Sequence, residues 1–461
     1  MLQVVSFINE YLSDYVLIFL LVGTGLFFTI RTKFVQVRCF GEGWKNAFGK
    51  FSLHGGNGKQ GGLSSFQSLS AAVAAQVGTG NIVGASGAIL IGGPGAIFWM
   101  WLVAFFGMAT IYAEAVLAQE TRITDDNKVI HGGPVYYIKK AFPNYFGTFL
   151  AVFFAIACVV SLGFMGCMVQ ANSIGETCEQ AFNVPSYIVG IFIALAALFI
   201  FIGGVSRLAQ VTEKLVPLMA ILYLAGSLGV LICRINYLPE TFGVIFKYAF
   251  LPEALIGGGI GHALKTAISQ GVKRGLFSNE AGMGSTPHAH ALANVATPHV
   301  QGTVAMIGVF IDTAVVLTMT ALVIISTVYV GDGPLAAATG ATYKEILANS
   351  GLTQTNLVQY AIASVSSTAI GNIFVAVCLL FFAFSTILSW NYFGKINFHY
   401  LFGSKMVIIY SILAIGFIFI GTTMKSDLVW ALQDMFNQLM VLPNVIALWA
   451  LSTIVCKSAR N

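Results

Sequence analysis

Runs of about twenty apolar residues recur along the whole chain, and no other feature constrains its fold as strongly. A helix of that length can cross the ~30 Å hydrocarbon core of a bilayer. Hydrophobic residues fill 57% of the 461 positions and charged residues only 9%, whereas soluble domains carry about 25% charged residues. The sequence therefore predicts an all-α integral membrane protein that crosses the bilayer many times.

Eleven of these runs are predicted membrane spans, with boundary errors of a few residues. They cover residues 12–30, 66–92, 95–118, 146–171, 186–203, 211–233, 254–272, 302–329, 370–390, 406–422 and 431–455. No linker or soluble region separates them, so residues 1–461 are predicted to form a single transmembrane domain. The seven cysteines are scattered and odd in number, which predicts neither a disulfide framework nor a metal motif.

Basic residues predict the orientation of the chain, because cytoplasmic loops collect Lys and Arg. With the N-terminus outside, eighteen of the 23 Lys and Arg residues fall on the inner side, among them Lys273 and Arg274. Four fall outside, and Lys265 lies within a span, where its side chain is expected to reach toward the cytoplasm. The bias predicts an outer N-terminus and a cytoplasmic C-terminus. It also accounts for the net charge of +5 without a nucleic-acid partner.

Glycine-rich stretches interrupt the second and seventh predicted spans. The second contains "AAVAAQVGTGNIVGAS" (71–86), in which residues 78–81 are typical of a turn, and the seventh has a glycine cluster at 257–261. If the first span (12–30) is set aside, the interrupted spans begin two groups of five, 66–233 and 254–455. Because five is odd, the second group runs through the membrane in the opposite sense. Interrupted segments at corresponding positions of inverted halves indicate the midplane site of a secondary transporter.

The interruption at Gly78–Asn81 would leave backbone N–H groups unpaired at a new helix N-terminus and carbonyls unpaired at a new C-terminus. The donor end carries about half a positive charge and favours a carboxylate, while the acceptor end can coordinate a cation. Gly78 and Gly80 permit the required dihedral angles, and Gln76, Thr79 and Asn81 offer side-chain hydrogen bonds. The stretch suits a small zwitterion and a metal cation. The alternative is a glycine kink that serves helix packing.

The ninth span contributes a second group of polar atoms. "FFAFSTILSWNYFG" places adjacent hydroxyls at Ser385 and Thr386, and Trp390 follows about one turn later. Two hydroxyls and a few backbone carbonyls form a hard oxygen site that suits an alkali cation. Alternatively, each hydroxyl bonds the carbonyl four residues earlier in its own helix.

Three stretches carry a resemblance to a known family: "QVGTGNIVG" at 76–84, "GGPGAIFWMWLVAFFG" at 92–107 and "GLFSNEAGMGSTPHAHA" at 275–291. Over essentially its whole length the chain resembles the alanine or glycine:cation symporter family. The resemblance implies a leucine-transporter-like fold, in which two inverted five-helix repeats follow one extra helix. It also implies sodium-coupled, or sometimes proton-coupled, uptake of alanine or glycine, or of glutamine in some members, across a membrane of the bacterial inner-membrane type.

The resemblance also assigns site residues. Substrate contacts fall on Gln76, Gly78, Thr79, Gly80, Asn81, Gln170, Gly258, Gly259 and Trp390. Residues 78–81 would hold the substrate carboxylate, Gln170 would form a polar wall, Trp390 would limit substrate size, and Gly258 and Gly259 would mark the paired break. Sodium would bind the carbonyls of Ala74, Val77 and Phe382 and the hydroxyls of Ser385 and Thr386. The family's broken stretch usually has Phe after its paired glycines; this chain has Gly259-Ile260, which reshapes one side of the pocket.

Ionisable residues inside spans are functional candidates by default. Asp312 lies about eleven residues into the eighth span and is a candidate for cation or proton coupling; the alternative is structural pairing with Lys265 or a backbone amide. Glu114 is expected to pair locally near the inner end of its span. Asn279 and Glu280 either gate the cytoplasmic exit or cap a helix.

Two other classes of protein fit the sequence poorly. His288, His290 and His299 resemble a metal-binding set, but H-x-H is a weak pattern and no third ligand is close in sequence. No metal beyond sodium, no cofactor and no enzymatic activity are therefore expected. A channel would need a continuous polar pore, whereas these spans show isolated polar positions around helix breaks.

Overall fold

The computed structural model describes residues 2–49, 63–125, 129–252, 260–338 and 340–460. Within these residues the chain is helical apart from a short antiparallel pair, β1 (Ile123–Thr124) and β2 (Ile130–His131), and one bridge between Leu63 and Ala293. The long helices, labelled α1–α12 in chain order, are α1 (Val4–Arg31), α2 (Ser65–Gln76), α3 (Gly80–Gly92), α4 (Ala96–Thr121), α5 (Tyr145–Phe182), α6 (Ser186–Ile202), α7 (Gly204–Cys233), α8 (Ile260–Asn279), α9 (Pro298–Tyr329), α10 (Thr368–Phe402), α11 (Ser404–Gly421) and α12 (Ser426–Ala450). Shorter helices are Val35–Arg38, Phe40–Phe48, Pro134–Ala141, Leu238–Phe250, Pro287–His290, Gly340–Ser350, Leu357–Ala363 and Ser452–Ser458.

Helices lie at the positions of all the predicted spans, although residues 254–259 of the seventh lie outside the described residues. In the described part of the chain, seven helices are long and apolar enough to cross a membrane. The number rises to nine if each of two bent helix pairs counts as one span. The other two positions hold α6, which has only 17 residues, and α8. The structure is thus an all-helical, multi-pass membrane protein.

The second predicted span is broken where the sequence indicates. A capping box at Ser64 and Gln67 starts α2, which ends at Gln76. Val77 then adopts an extended conformation with φ −79° and ψ 91°. A wide π-helical turn at Gly80–Gly84 begins α3, and α2 and α3 meet at an angle of 45°. The predicted interruption is confirmed, and it is shorter than expected because Asn81 already belongs to the new helix.

A break that the sequence did not predict follows the seventh predicted span. α8 runs unbroken from Ile260 to Asn279, and three left-handed residues follow it: Glu280 (φ 60°), Gly282 (φ 90°) and Gly284 (φ 79°). The chain becomes helical again at Pro287–His290. The structure thus shows a break at 280–286, while Gly258 and Gly259 lie outside the described residues, so the predicted break at the glycine cluster stays a prediction. A left-handed non-glycine residue ends the helix here, and the hydropathy pattern gave no sign of it.

This position of the break corrects the placement of three basic residues. Lys265, Lys273 and Arg274 line a cavity of about 430 Å³ together with Asn9 and Glu10 from the start of the chain. They therefore lie toward the same side of the membrane as the N-terminus, and the prediction that Lys273 and Arg274 lie on the opposite side is wrong. The expected path of Lys265 toward the cytoplasm is wrong for the same reason, since its ammonium lies 4.7 Å from the ring centre of Tyr15. The remaining basic residues still favour the opposite side.

Candidate functional site

The break between α2 and α3 is capped by side chains that come from distant parts of the chain. The amide of Gly78 donates to Oδ1 of Asn81 at 3.0 Å. The amide of Thr79 donates to Oε1 of Gln170, in α5, at 3.1 Å. All four of these residues are buried. The structure thus brings Gln170 to the break, as predicted, and shows side-chain carbonyls bonded to two of the amides that were expected to be free.

Three polar side-chain atoms around the break are buried and have no hydrogen-bond partner among the described residues. They are Oε1 of Gln76, Oγ1 of Thr79 and Nε2 of Gln170. Gln76 uses its other amide atom to donate to the carbonyl of Asn279 at 2.8 Å. A buried polar atom without a partner costs about 1–3 kcal/mol. An acceptor, a hydroxyl and a donor left unpaired at one helix break therefore indicate a place for a small polar ligand.

The two glycines of the break allow other helices to approach its backbone closely. A Cβ atom at Gly78 would lie 2.3 Å from Oγ1 of Thr386 in α10. One at Gly80 would lie 2.9 Å from the Cα of Ser278 in α8. Both distances are shorter than van der Waals contact, so a larger residue would displace the Thr386 hydroxyl at Gly78 and the backbone of α8 at Gly80. The break therefore meets α8 on one side and α10 on the other.

The predicted sodium ligands lie where α2 meets α10. The hydroxyl of Thr386 is 2.9 Å from the carbonyl oxygen of Ala74 and 3.1 Å from that of Phe382. The hydroxyl of Ser385 is 2.8 Å from the Phe382 oxygen and 3.4 Å from the Ala74 oxygen. Val77 follows directly after α2 and is buried. The hydroxyls do bond a carbonyl of their own helix, as the alternative held, and they also reach across to α2.

Asp312 is fully buried in α9 and joins the break to α8. Its carboxylate accepts from Asn81 Nδ2 at 2.6 Å, from Ser278 Oγ at 2.9 and 3.0 Å, and from Thr313 Oγ1 at 2.7 Å. The alternative of pairing with Lys265 is wrong, because that side chain lies against Tyr15. Asp312 instead belongs to the same polar group of residues as the helix break.

Trp390 and Glu280 close one side of the site. The indole N–H of Trp390 donates to Oε1 of Glu280 at 2.5 Å. The Trp390 ring meets Phe277 edge to face at 5.6 Å between ring centres, and Phe277 in turn contacts Trp430. Trp390 is 1% exposed. A large aromatic side chain thus forms a buried wall next to the second break.

Asn279 and Glu280 lie at this second break rather than at an exit on the inner surface. Oδ1 of Asn279 accepts from the amide of Ala281 at 3.1 Å, and Nδ2 of Asn279 donates to Thr313 at 3.3 Å. Glu280 accepts from Ser285 as well as from Trp390. The bond from Ala281 to Asn279 closes a local turn beyond the end of α8, and the choice between gating and helix capping stays a prediction.

Sequence reasoning missed the role of Glu114. It was expected to pair locally, but its buried carboxylate accepts from the amides of Gly282 and Gly284 at 3.2 and 2.9 Å and from Nδ2 of Asn444 at 2.6 Å. Glu114 of α4 therefore satisfies two backbone amides of the second break. The signal was present, because a carboxylate inside an apolar run needs a buried partner, but that partner is 168 residues away along the chain.

Two broken helices whose breaks face each other, with buried polar atoms between them, define a membrane transporter. A solved structure agrees with this fold: a mutant of the manganese transporter of Eremococcus coleocola has a TM-score of 0.51 and 13% sequence identity. The match covers 84% of this chain and 77% of that one.

The chain belongs to the sodium:alanine symporter family, whose sequence pattern it matches over residues 1–461. It is 39% identical to the sodium/alanine symporter AgcS of Methanococcus maripaludis, over 99% of this chain and 96% of that protein. It is 39% identical to the putative sodium/proton-dependent alanine carrier protein YrbD of Bacillus subtilis, over 97% of this chain and 90% of that protein. It is 36% identical to the probable sodium/glutamine symporter GlnT of the same species, over 100% of this chain and 90% of that protein. Membership of this family makes the chain a symporter and not an enzyme.

Proposed function

We propose that this protein imports one small neutral amino acid, alanine or glycine, together with sodium, by alternating access. The observation that carries the proposal is the set of three unpaired polar atoms on Gln76, Thr79 and Gln170 at the break between α2 and α3. A zwitterion has acceptors on its carboxylate and donors on its ammonium group. The amide of Gln170 and the hydroxyl of Thr79 would bind the carboxylate, and Oε1 of Gln76 would accept from the ammonium group.

The backbone of the same segment would complete the substrate site. Gly78, Gly80 and Asn81 surround the N-terminus of α3, where the helix dipole favours a carboxylate. Trp390, buried beside Phe277 and Glu280, would limit the side chain to a small group. Gly258 and Gly259 stay predicted contacts on residues outside the described part of the chain.

Sodium would bind where α2 meets α10. The hydroxyls of Ser385 and Thr386 each lie 2.8–3.4 Å from the carbonyl oxygens of Ala74 and Phe382. The carbonyl of Val77 would be the fifth ligand. Five oxygen atoms, without sulfur or nitrogen, suit a hard cation. The proposed ion would hold α2 against α10 and fix the end of α2 next to the substrate.

Asp312 would couple the ion and the substrate through the protein. Its carboxylate bonds Asn81 of α3 and Ser278 of α8, so it senses the positions of both broken helices. A cation or proton that reached Asp312 would change those bonds. We therefore assign it a coupling role rather than direct substrate contact.

The proposed architecture has eleven spans, with an extra first helix (12–30) and two inverted repeats (66–233 and 254–455). The facing breaks support this arrangement, because one lies in the first span of the first repeat and the other directly follows α8, the first described helix of the second repeat. The proposed orientation keeps the N-terminus outside and the C-terminus in the cytoplasm. Rocking of the two repeats about the breaks would then expose the site to each side in turn.

One sodium ion provides enough energy for active uptake. A charge that moves down 100 mV releases ~2.3 kcal/mol, and a tenfold sodium gradient adds about 1.4 kcal/mol. Because the substrate is neutral overall, these terms permit roughly 500-fold accumulation of substrate per ion.

Transport by purified protein in vesicles tests the proposal. An inward sodium gradient is expected to drive uptake of labelled alanine or glycine, and dissipation of the gradient should abolish accumulation. A panel of unlabelled amino acids should compete in order of side-chain size, with alanine and glycine strongest. Uptake that responds to neither sodium nor proton gradients would remove the coupling part of the proposal.

A matched pair of variants tests the substrate site. Thr79→Val keeps the shape of the side chain and removes a hydroxyl that has no partner among the described residues, so folding should be unaffected while half-saturation by alanine requires about tenfold more substrate. Thr110→Val is the control, because that hydroxyl is also buried and unpaired in the described part of the chain but lies in α4, away from the first break. Equal effects of the two variants would contradict the assignment of Thr79.

Glutamine is a second candidate substrate, because a relative named a probable sodium/glutamine symporter is 36% identical over the full chain. The competition panel separates the two candidates. Strong competition by glutamine would show that the Trp390 wall leaves more room than we propose.

A further inference from the structure

Outside the transport site, three side chains with metal-binding atoms lie together. They are Cys39, Glu42 and His299, and one ligand atom from each lies within 4.8 Å of the others. This is a group of one sulfur, one carboxylate oxygen and one imidazole nitrogen, drawn from two distant parts of the sequence. Cys39 and His299 are 6% and 9% exposed, while Glu42 is partly open to solvent.

Three helices hold the three residues in place. Cys39 ends the short helix Val35–Arg38, and Glu42 lies in the first turn of Phe40–Phe48. His299 is at the start of α9. A Cβ atom at Gly43 would lie only 2.5 Å from the carbonyl oxygen of Thr303, so the helix Phe40–Phe48 contacts the backbone of α9 directly.

The imidazole of His299 is oriented as a metal-binding histidine usually is. Its Nδ1 lies 2.7 Å from the hydroxyl of Tyr112, and its Nε2 lies 3.3 Å from Oε2 of Glu42. An oxygen partner for one ring nitrogen fixes the ring and leaves the other nitrogen for a metal. In tetrahedral zinc sites with ligand bonds near 2.0–2.2 Å, neighbouring nitrogen and oxygen ligands are about 3.4 Å apart. The observed separation matches that spacing.

We propose that Cys39, Glu42 and His299 bind a divalent transition-metal ion of the zinc class, with water as the fourth ligand. A sulfur and a nitrogen ligand favour zinc or cobalt over magnesium, calcium or sodium. Cys39 is a free cysteine, as a thiolate ligand must be. An ion pair would account for the positions of Glu42 and His299 but not for the thiol of Cys39 beside them. The proposal departs from the expectation of no metal beyond sodium, because that expectation considered His299 only with His288 and His290.

The bound ion would fasten the segment 35–48 to α9. The same helix carries Asp312 further along, so the clamp would act on an element of the transport site without touching substrate or sodium. Cobalt is the most direct probe, since a thiolate ligand gives Co²⁺ an intense charge-transfer band in the near ultraviolet.

The test is a titration of the full-length protein in detergent with Co²⁺, after removal of any histidine tag. We expect one Co²⁺ per chain with the thiolate band, displacement by Zn²⁺, and a higher Tm in the presence of Zn²⁺. Cys39→Ser should lose the band and the Tm shift. Glu42→Gln should keep the band and bind at least about tenfold more weakly.

Cys233→Ser is the matched control, because Cys233 is also a free cysteine and is exposed. It should bind Co²⁺ as the original protein does. The proposal is overturned if the original protein shows no thiolate band, if Cys39→Ser retains it, or if Cys233→Ser loses it. Gel filtration of each variant establishes that a lost band does not reflect unfolding.

Discussion

At the scale of single residues, two serine hydroxyls on α10 allow the proposed sodium site to be tested against ordinary helix packing. Ser385 and Ser389 lie one turn apart, and each hydroxyl reaches a carbonyl of α2: Ala74 for Ser385 and Ala71 for Ser389. Ser385 is adjacent to Thr386, and both hydroxyls lie within 3.4 Å of the carbonyl oxygens of Ala74 and Phe382, so four oxygen atoms come together there. Ser389 lacks such a neighbour within the predicted ligand set. Variants of these two serines therefore compare the proposed sodium ligand with a packing contact.

Ser385→Ala is expected to raise the sodium concentration that gives half-maximal uptake by about tenfold. The reason is that a polar contact to a charged group contributes about 1.5–3 kcal/mol. A loss of about 1.4 kcal/mol already weakens binding of the ion tenfold. Uptake at saturating sodium should change little. Sodium-dependence curves in vesicles provide the measurement, and Ser389→Ala should leave them unchanged. If both variants shift the curve equally, Ser385 serves packing and not the ion.

At the scale of elements, the two breaks are maintained in different ways. The break of α2–α3 depends on glycine, because other helices approach its backbone too closely for a side chain. The break after α8 depends on Glu114, whose carboxylate accepts from two of its amides. Close packing thus maintains the first break, and hydrogen bonds maintain the second. A substitution that adds volume should therefore disturb the first break, and one that removes the acceptor should destabilise the second.

Gly78→Ala is expected to reduce alanine uptake at least about tenfold. Its new methyl group would overlap Oγ1 of Thr386, 2.3 Å away, and overpacking costs about 1–3 kcal/mol. Gly416→Ala, in α11, is the control because no atom of the described residues lies within 4 Å of the added carbon. Initial uptake rates, corrected for the amount of protein in the vesicles, measure both. A normal rate for Gly78→Ala would show that α10 yields easily and that the close approach is unimportant.

Glu114→Ala is expected to lower the Tm of the protein in detergent by several degrees. The substitution leaves the amides of Gly282 and Gly284 and the side chain of Asn444 without their acceptor, at about 1–3 kcal/mol for each buried group. Glu120→Ala, on the same helix, should have little effect because Glu120 is exposed. Thermal unfolding followed by circular dichroism compares the two. Equal Tm values would mean that other groups support the second break.

How much of these elements was predictable depends on the range of the interactions. The first break was predictable because Gly78–Asn81 is a local signal, and hydroxyls one residue apart predicted the group at Ser385. The break after α8 was not predicted, because the left-handed conformation of Glu280 has no local signature, and the predicted break at 257–261 stays a prediction. Contacts such as Asn81 to Asp312, 231 residues apart, follow no periodicity and required the folded chain.

At the scale of the whole molecule, correction of the seventh span affects the evidence for orientation. Lys265, Lys273 and Arg274 line the same cavity as Asn9 and Glu10, so they no longer count toward the cytoplasmic side. Lys273 and Arg274 both pair with Asp434 of α12, at 2.9 and 3.3 Å. Because residues held in ion pairs inside the protein say little about loop orientation, the proposal depends on the remaining loop lysines and arginines and needs an independent test.

Cys233 provides that test, since it is exposed at the end of α7 and the other six cysteines are buried. With the N-terminus outside, the end of α7 also lies outside, so a maleimide that cannot cross membranes is expected to label intact spheroplasts. Cys233→Ser should abolish the labelling, which excludes reaction at buried thiols. Labelling that appears only after the membrane is permeabilised would reverse the orientation. Because coupled transport follows the sodium gradient in either orientation, uptake would remain, and the face of the protein on which sodium and substrate enter the site would be exchanged.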